Sequence, residues 1–279
     1  MTTYKAPLRH MQFVMQDVLN FEKHYQSLPA CDEVNQELID AILGEASKFS
    51  EEVVAPLNTV GDEAGCEMLE DGEVRTPPGF KEAYQQYVDG GWPSLDQPSR
   101  YGGQDLPMSI GTTVREMTGT ANWSWSMYSG LSHGAMETID QHGSEEQKAM
   151  FMEPLVSGRW TGTMCLTEPQ CGTDRGLIRT RATPNDDGSY ALEGTKIWIT
   201  GGEHDLVDNI VHLVLAKLPG APDTTKGISL FVVPKFLPES GERNPAFCGG
   251  LEHKMGIKGS ATCVMNFEGA KGWLVGEPN

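Results

Sequence analysis

The feature that most constrains this chain is a change of hydrophobic period near Arg159. Upstream, apolar residues recur at helical spacing; downstream they fall into short runs separated by turn residues. One period cannot be satisfied by the other element, because it would turn the apolar set toward water. The expected fold is therefore α+β, an α-helical domain followed by a β-barrel or sandwich domain, rather than alternating βαβ units. Residues 1–158 read as the helical domain, with an N-terminal extension of about residues 1–33, and residues 159–279 as the β domain.

Within the helical part, Val34, Leu38, Ile42, Phe49 and Val53 share one face, with Ile39, Leu43 and Ala46 beside it, and Pro56 ends the pattern. Pro77-Pro78-Gly79 opens a second helix carrying Phe80, Ala83, Tyr84, Tyr87 and Val88 on one stripe, which Gly90-Gly91 stops. A third is expected from near Pro107 through Met117, followed by an aromatic and methionine-rich stretch from Trp123 to Tyr128. Ser144 and Gln147 form a capping-box pattern, opening a short helix that Pro154 or Gly158 ends. Strands are expected at 160–166, 179–183, 189–193, 196–200, 208–218, 227–233 and 261–267. Asn185-Asp186-Asp187-Gly188 supplies a hairpin signal, and Glu193-Gly194-Thr195 a second tight turn.

Charge and motifs remove several functional classes. A formal net charge of −18 opposes nucleic-acid backbones and anionic membrane surfaces as partners, while leaving room for a small anionic ligand held by local N–H groups. The six cysteines form neither a C-x-x-C pair nor zinc-ligand spacing, so no metal site is expected, and free, mostly buried thiols are. The N-terminal text shows no secretory pattern, and no apolar run of about 18 residues occurs, which points to a cytoplasmic protein without membrane insertion. No two glycines lie two residues apart, so the Rossmann fingerprint is absent, and P-loop, G-x-S-x-G and H-E-x-x-H patterns are absent too. His133, His142, His204 and His212 are each better read as structural than as bases or ligands.

Two segments carry chemistry. In residues 161–174 a strand runs into a turn bearing Thr167, Glu168, Pro169, Gly172, Thr173 and Asp174. Pro169 fixes a backbone angle, Gly172 permits close approach, and successive N–H groups can form an anion-holding nest. Taken alone, this turn is better read as a β-turn with an Asx-type cap. In residues 194–201, Lys196, Trp198 and Thr200 share strand parity, and Trp198 offers a flat surface for another ring, or a core tryptophan.

Together, Cys165-Leu166-Thr167-Glu168 with Gly172-Thr173-Asp174, then Gly194, Lys196, Trp198, Ile199 and Thr200, resemble the acyl-CoA dehydrogenase family. The resemblance extends to Gly91-Trp92, Tyr101-Gly102-Gly103, His142-Gly143-Ser144, Lys254-Met255-Gly256 and Trp273-Leu274-Val275-Gly276. Tyr4, Lys5, Ala6, Pro7 and Leu8, with Ala55, Pro56, Leu57 and Asn58, look like its larger bacterial branch, which includes 3-methylmercaptopropionyl-CoA dehydrogenases. Arg175 departs from the apolar or small residue usual after the Asp, and Leu177 from the small residue common at its position.

The resemblance implies FAD as cofactor and dehydrogenation of an acyl-CoA thioester to the trans-2-enoyl-CoA, in fatty-acid β-oxidation or 3-methylmercaptopropionyl-CoA breakdown. It implies a cofactor cradle of Met164, Leu166, Thr167, Gly172, Thr173, Trp198, Ile199 and Thr200, with Thr173 also near the acyl-CoA. Thr167 would serve the flavin's pyrimidine edge, Thr200 the N5 region, Trp198 the ring face and Thr173 the pyrophosphate. A carboxylate base removes the α-proton while hydride leaves the β-carbon. That base is expected in a C-terminal helical domain absent from this chain, so no catalytic residue is assigned here, and the chain alone should be inactive or bind flavin weakly. Electron-transfer flavoprotein is the implied electron acceptor, and a homodimer or homotetramer the implied full-length assembly. Alternatives are a flavin-binding relative with a non-catalytic, nucleic-acid-protective or interaction role, and, among enzymes, an acyl-CoA oxidase.

Overall fold

In the computed structural model, which describes residues 4–279, eight α-helices precede or flank the sheet text in chain order. The first three residues of the expected N-terminal extension lie outside the described residues. Short helices α1 (Leu8–Phe13) and α2 (Phe21–Gln26) lead to α3 (Gln36–Phe49), which Asn35 caps by accepting from the Leu38 N–H. The buried stripe of α3 is Ile39, Leu43 and Ala46, whereas Leu38 is 38% exposed, so the core face is the one expected to lie beside it. These residues pack with Ile110, Val114 and Met117 of α6.

Pro56 interrupts the helix without ending helical structure. A wide turn (Ser50–Val54) precedes it, and α4 (Leu57–Ala64) starts directly after it, as suits a residue that tolerates a helix's first turn. A two-stranded hairpin, β1 (Glu67–Met68) with β2 (Val74–Arg75), follows. Then come α5 (Phe80–Asp89), α6 (Met108–Ala121), α7 (Trp123–His142) and α8 (Glu145–Val156). The aromatic stretch after Asn122 is the start of α7, with Asn122 as its cap. Pro154 sits inside α8 rather than ending it. The capping box is present: Ser144 Oγ accepts from the Gln147 N–H at 3.3 Å, and Gln147 Oε1 accepts from the Ser144 N–H at 3.1 Å.

The large sheet holds β3 (Trp160–Cys165), β4 (Arg181–Pro184), β5 (Tyr190–Thr200), β6 (Asn209–Lys217), β7 (Ile228–Pro234), β8 (Ala246–Leu251) and β9 (Thr262–Val275). The order is β3-β6-β4-β5-β9-β7, and the further β6–β7 pairing closes the sheet on itself. A helical domain thus leads into a sheet-rich one, as the change of period requires.

The expected strands also need correction. Residues 189–193 and 196–200 are one strand, because Gly194 is not a turn; it lets β5 pass over Thr180, whose Oγ1 would lie 2.5 Å from an added Cβ. β8 and the β1–β2 hairpin were not expected, and β9 runs well past residue 267. β9 is central, with β5 on one edge and β8 and β7 sharing the other.

Helix α7 lies against β3. At Gly162 a Cβ would come within 2.4 Å of the Ala135 Cβ, so only glycine permits this approach. Ala135, Met136 and Ile139 of α7 and Phe151 and Leu155 of α8 pack with Val211, Leu213, Val232 and Val275. Gln147 Nε2 also donates to the Leu274 carbonyl at 2.7 Å, joining α8 to the last strand.

Candidate functional site

The candidate site gathers at the C-terminal end of β3 and the end of β5. β3 delivers Met164, which shares a strand face with Gly162 but is 36% exposed, and the chain then turns through half-buried Leu166 and Thr167. The turn is closed by reciprocal backbone bonds: the Glu168 N–H donates to the Cys171 carbonyl at 2.9 Å and the Cys171 N–H to the Glu168 carbonyl at 3.0 Å. Gly172, Thr173 and Asp174 are exposed, and among the described residues no acceptor is found for their N–H groups. Consecutive unpaired amides suit an anion. Arg175 is exposed on the following short turn, and its N–H donates to the Thr173 carbonyl at 3.1 Å.

Beside this turn opens a cleft of about 420 Å³ whose lining includes Arg179, Arg181 and Lys217, the last paired with Asp223 at 2.6 Å. It gathers positive charge locally on a chain of net charge −18.

β5 meets the turn through Ile197, whose N–H donates to the Thr167 carbonyl at 2.9 Å. Simple alternation, expected to place Lys196, Trp198 and Thr200 on one face, fails here. Lys196 pairs with Met265 of β9 but Ile199 with Cys263, so β5 carries one extra residue. Trp198 takes the left-handed conformation, φ 58°, in this bulge and is 59% exposed. It is not a core tryptophan. Lys196 and Ile199 both point inward, at 0% and 2% exposure, so the Ile199 side chain belongs to the core and only its backbone can line a cradle.

Thr200 is half-buried, and its carbonyl accepts from Thr163 Oγ1. Behind it, His204 Nδ1 accepts from the Leu206 N–H at 3.3 Å, which leaves Nε2–H to donate to Thr161 Oγ1 at 3.0 Å. His204 and His212 are fully buried, and burial pushes each imidazole down to about 3, with the Lys235 charge adding for His204 and Arg243, Lys235 and His204 for His212. Neither is poised as a base at neutral pH. His142 is exposed, and His133 sits 3.5 Å from Asp96, which Arg115 also contacts at 2.8 Å.

Two residues outside the expected cradle hold it together. Glu168 and Lys196 form a buried ion pair at 2.8 Å, with side-chain exposures of 3% and 0%. Burial alone would raise the Glu168 carboxyl, but hydrogen bonds from Lys196 and Thr180 outweigh it and bring it down to about 2. Glu168 is thus held in its ionised form with both carboxylate oxygens engaged. Parity placed Lys196 with Trp198, so nothing in the strand pattern separated the buried cation from the exposed ring.

Comparison with known proteins decides the family. The acyl-CoA dehydrogenase N-terminal domain model matches residues 36–159, and the acyl-CoA dehydrogenase middle domain model matches residues 163–270. The chain belongs to the acyl-CoA dehydrogenase family. It is 45% identical over 99% of its length to 3-methylmercaptopropionyl-CoA dehydrogenase of Ruegeria pomeroyi, covering 47% of that protein. It is 36% identical over 98% of its length to a butyryl-CoA dehydrogenase of Syntrophomonas wolfei, covering 46% of it. Among solved structures, an acyl-CoA dehydrogenase from Bacillus anthracis complexed with FAD superposes with TM-score 0.70 at 26% identity, over 88% of this chain and 38% of that one. Butyryl-CoA dehydrogenase of Megasphaera elsdenii gives TM-score 0.69 at 27% identity, over 88% of this chain and 60% of that one. The chain spans about half the length of the curated relatives it matches. Among the described residues, no helix is long and apolar enough to cross a membrane.

Proposed function

We propose that this chain supplies the FAD cradle of an enzyme that dehydrogenates acyl-CoA thioesters to trans-2-enoyl-CoA. The observation that carries this reading is the bulge that holds Trp198 out of the sheet beside a turn with three unpaired amides. The left-handed step strains β5 and presents the indole as an exposed flat surface that another ring could cover. FAD, when bound, supplies the hydride acceptor for the substrate β-carbon.

The chain's residues would hold it as follows. Trp198 offers its face to the ring system, and Met164 and Leu166 flank it. Thr167 offers a hydroxyl to the pyrimidine edge, where a hydrogen bond favours negative charge. Thr200, with the Ile199 backbone, would serve the N5 side. The Gly172, Thr173 and Asp174 amides would serve the pyrophosphate, and Thr173 would also contact the thioester substrate. As for the substrate acyl group, the Ruegeria relative makes 3-methylmercaptopropionyl-CoA the first compound to try, with butyryl-CoA next. Electron-transfer flavoprotein is the proposed electron acceptor. A nucleic-acid-protective role gains nothing from this site, which offers one small anion-binding turn on an acidic chain.

The test is a titration of the 279-residue chain with FAD, followed by visible absorbance. Binding is expected, with Trp198→Ala weakening it by about tenfold, the order of a lost stacking contact of ~1.5 kcal/mol. Acyl-CoA added to the loaded chain should leave the flavin band unbleached, because the carboxylate nearest the turn, Glu168, is already engaged by Lys196. Rapid bleaching would show that a base resides in this chain. Absence of any FAD binding would remove the cradle reading.

A further inference from the structure

We propose that Glu168 and Lys196 are positioning residues of the cradle: their buried ion pair locks residues 166–168 to β5 and so fixes Thr167 relative to Trp198. This rests on the flavin reading for its consequence, though not for its geometry.

The carboxylate is saturated. Oε1 accepts from Lys196 Nζ at 2.8 Å, the Thr180 N–H at 3.0 Å and Thr180 Oγ1 at 2.6 Å. Oε2 accepts from the Arg179 N–H at 2.7 Å and from Gln170 Nε2. Lys196 Nζ spends a second donor on the Leu166 carbonyl at 3.0 Å. Residues 166 and 168 are therefore pinned on either side of Thr167, while the Thr167 carbonyl accepts from Ile197. On β5 the bonds fall on residues 196 and 197, and pairing with β9 resumes at Ile199. The left-handed step at Trp198 is thus held between two fixed points.

Two charges withdrawn from water are a costly way to join two strands, and apolar residues of similar size would serve stability as well. What apolar residues cannot supply is direction. Five donors aimed at one carboxylate define where the turn sits, and the cation adds a tie to a carbonyl one residue before Thr167. The pair is neutral as a unit, so it acts on a bound ring through placement rather than through net charge.

Fluorine NMR of the whole chain labelled with 5-fluorotryptophan tests this without requiring cofactor. Trp198 is assigned among the six tryptophans with Trp198→Phe. In the double variant Glu168→Gln/Lys196→Met, the Trp198 resonance should shift and broaden while the other five stay, and FAD affinity should fall about tenfold, as expected for a site loosened by ~1 Å. A milder variant, Thr180→Ala, removes one donor to Glu168 and keeps the experiment decisive if the double variant does not fold; it should broaden the same resonance and weaken FAD by about threefold. An unmoved Trp198 resonance in a folded variant, or in Thr180→Ala when the double variant does not fold, overturns the proposal, even if melting temperature falls. If the unmodified chain binds no FAD, the flavin reading fails, while the resonance still reports on the positioning role.

Discussion

At the scale of single residues, His204 and His212 set a pH limit on the fold. Both are fully buried and held neutral, their imidazoles pushed from the ordinary 6.5 down to about 3. His212 has no partner for either ring nitrogen among the described residues. In the unfolded chain each takes a proton as pH falls through 6.5; in the folded chain neither does until about pH 3. Their contribution is therefore complete above pH 6.5 and is lost as pH drops toward 3, with a slope of up to one proton each. Urea midpoints measured across that window should fall with acidification, and His212→Leu should make the decline shallower. An unchanged slope would mean that His212 is protonated in the folded chain. The same scale shows what sequence pattern misses. That residues 167–174 form a turn was legible from Pro169 and Gly172, but the exposure of Trp198 was not. A bulge depends on how β5 pairs with β9, and strand parity cannot register one extra residue. The burial of Lys196 was hidden for the same reason.

Among elements, the contact of α7 with β3 is the tightest joint between the helical layer and the sheet. Gly162→Ala would press a methyl against Ala135, only 2.4 Å away, and should destabilise the chain by about 1–3 kcal/mol. Combining it with Ala135→Gly removes the clash and should recover part of the loss; no recovery would place the strain elsewhere. Helices with their own signals were legible: Ser144 and Gln147 announced α8, and the glycines at 79 and 90 bounded α5. Elements without local signals were not. β8 contains Gly249 and Gly250 and lacks a clear alternation, so it is a strand only because β9 offers it an edge. α3 showed its helical period but not which of two adjacent stripes is buried, since α6 makes that choice.

Across the whole molecule, charge works against compactness. A net charge of −18 produces self-repulsion that counterions relieve, whereas the buried Glu168–Lys196 and Glu203–Lys235 pairs are largely shielded from salt. Melting temperature should therefore rise between low ionic strength and ~0.5 M sodium chloride, where screening acts within a few ångströms. A fall would mean that surface ion pairs outweigh the general repulsion.

The placement of β9 has a consequence in time. This strand borders β5, β7 and β8, yet it is made after all of them. The sheet therefore cannot close while the ribosome is still producing residues 262–275. Until then the strand edges that β9 will occupy on β5, β7 and β8 are open to other chains. A nascent chain stalled before Thr262 should be the form that chaperones hold most tightly, and release should come in one step once Val275 has cleared the exit tunnel.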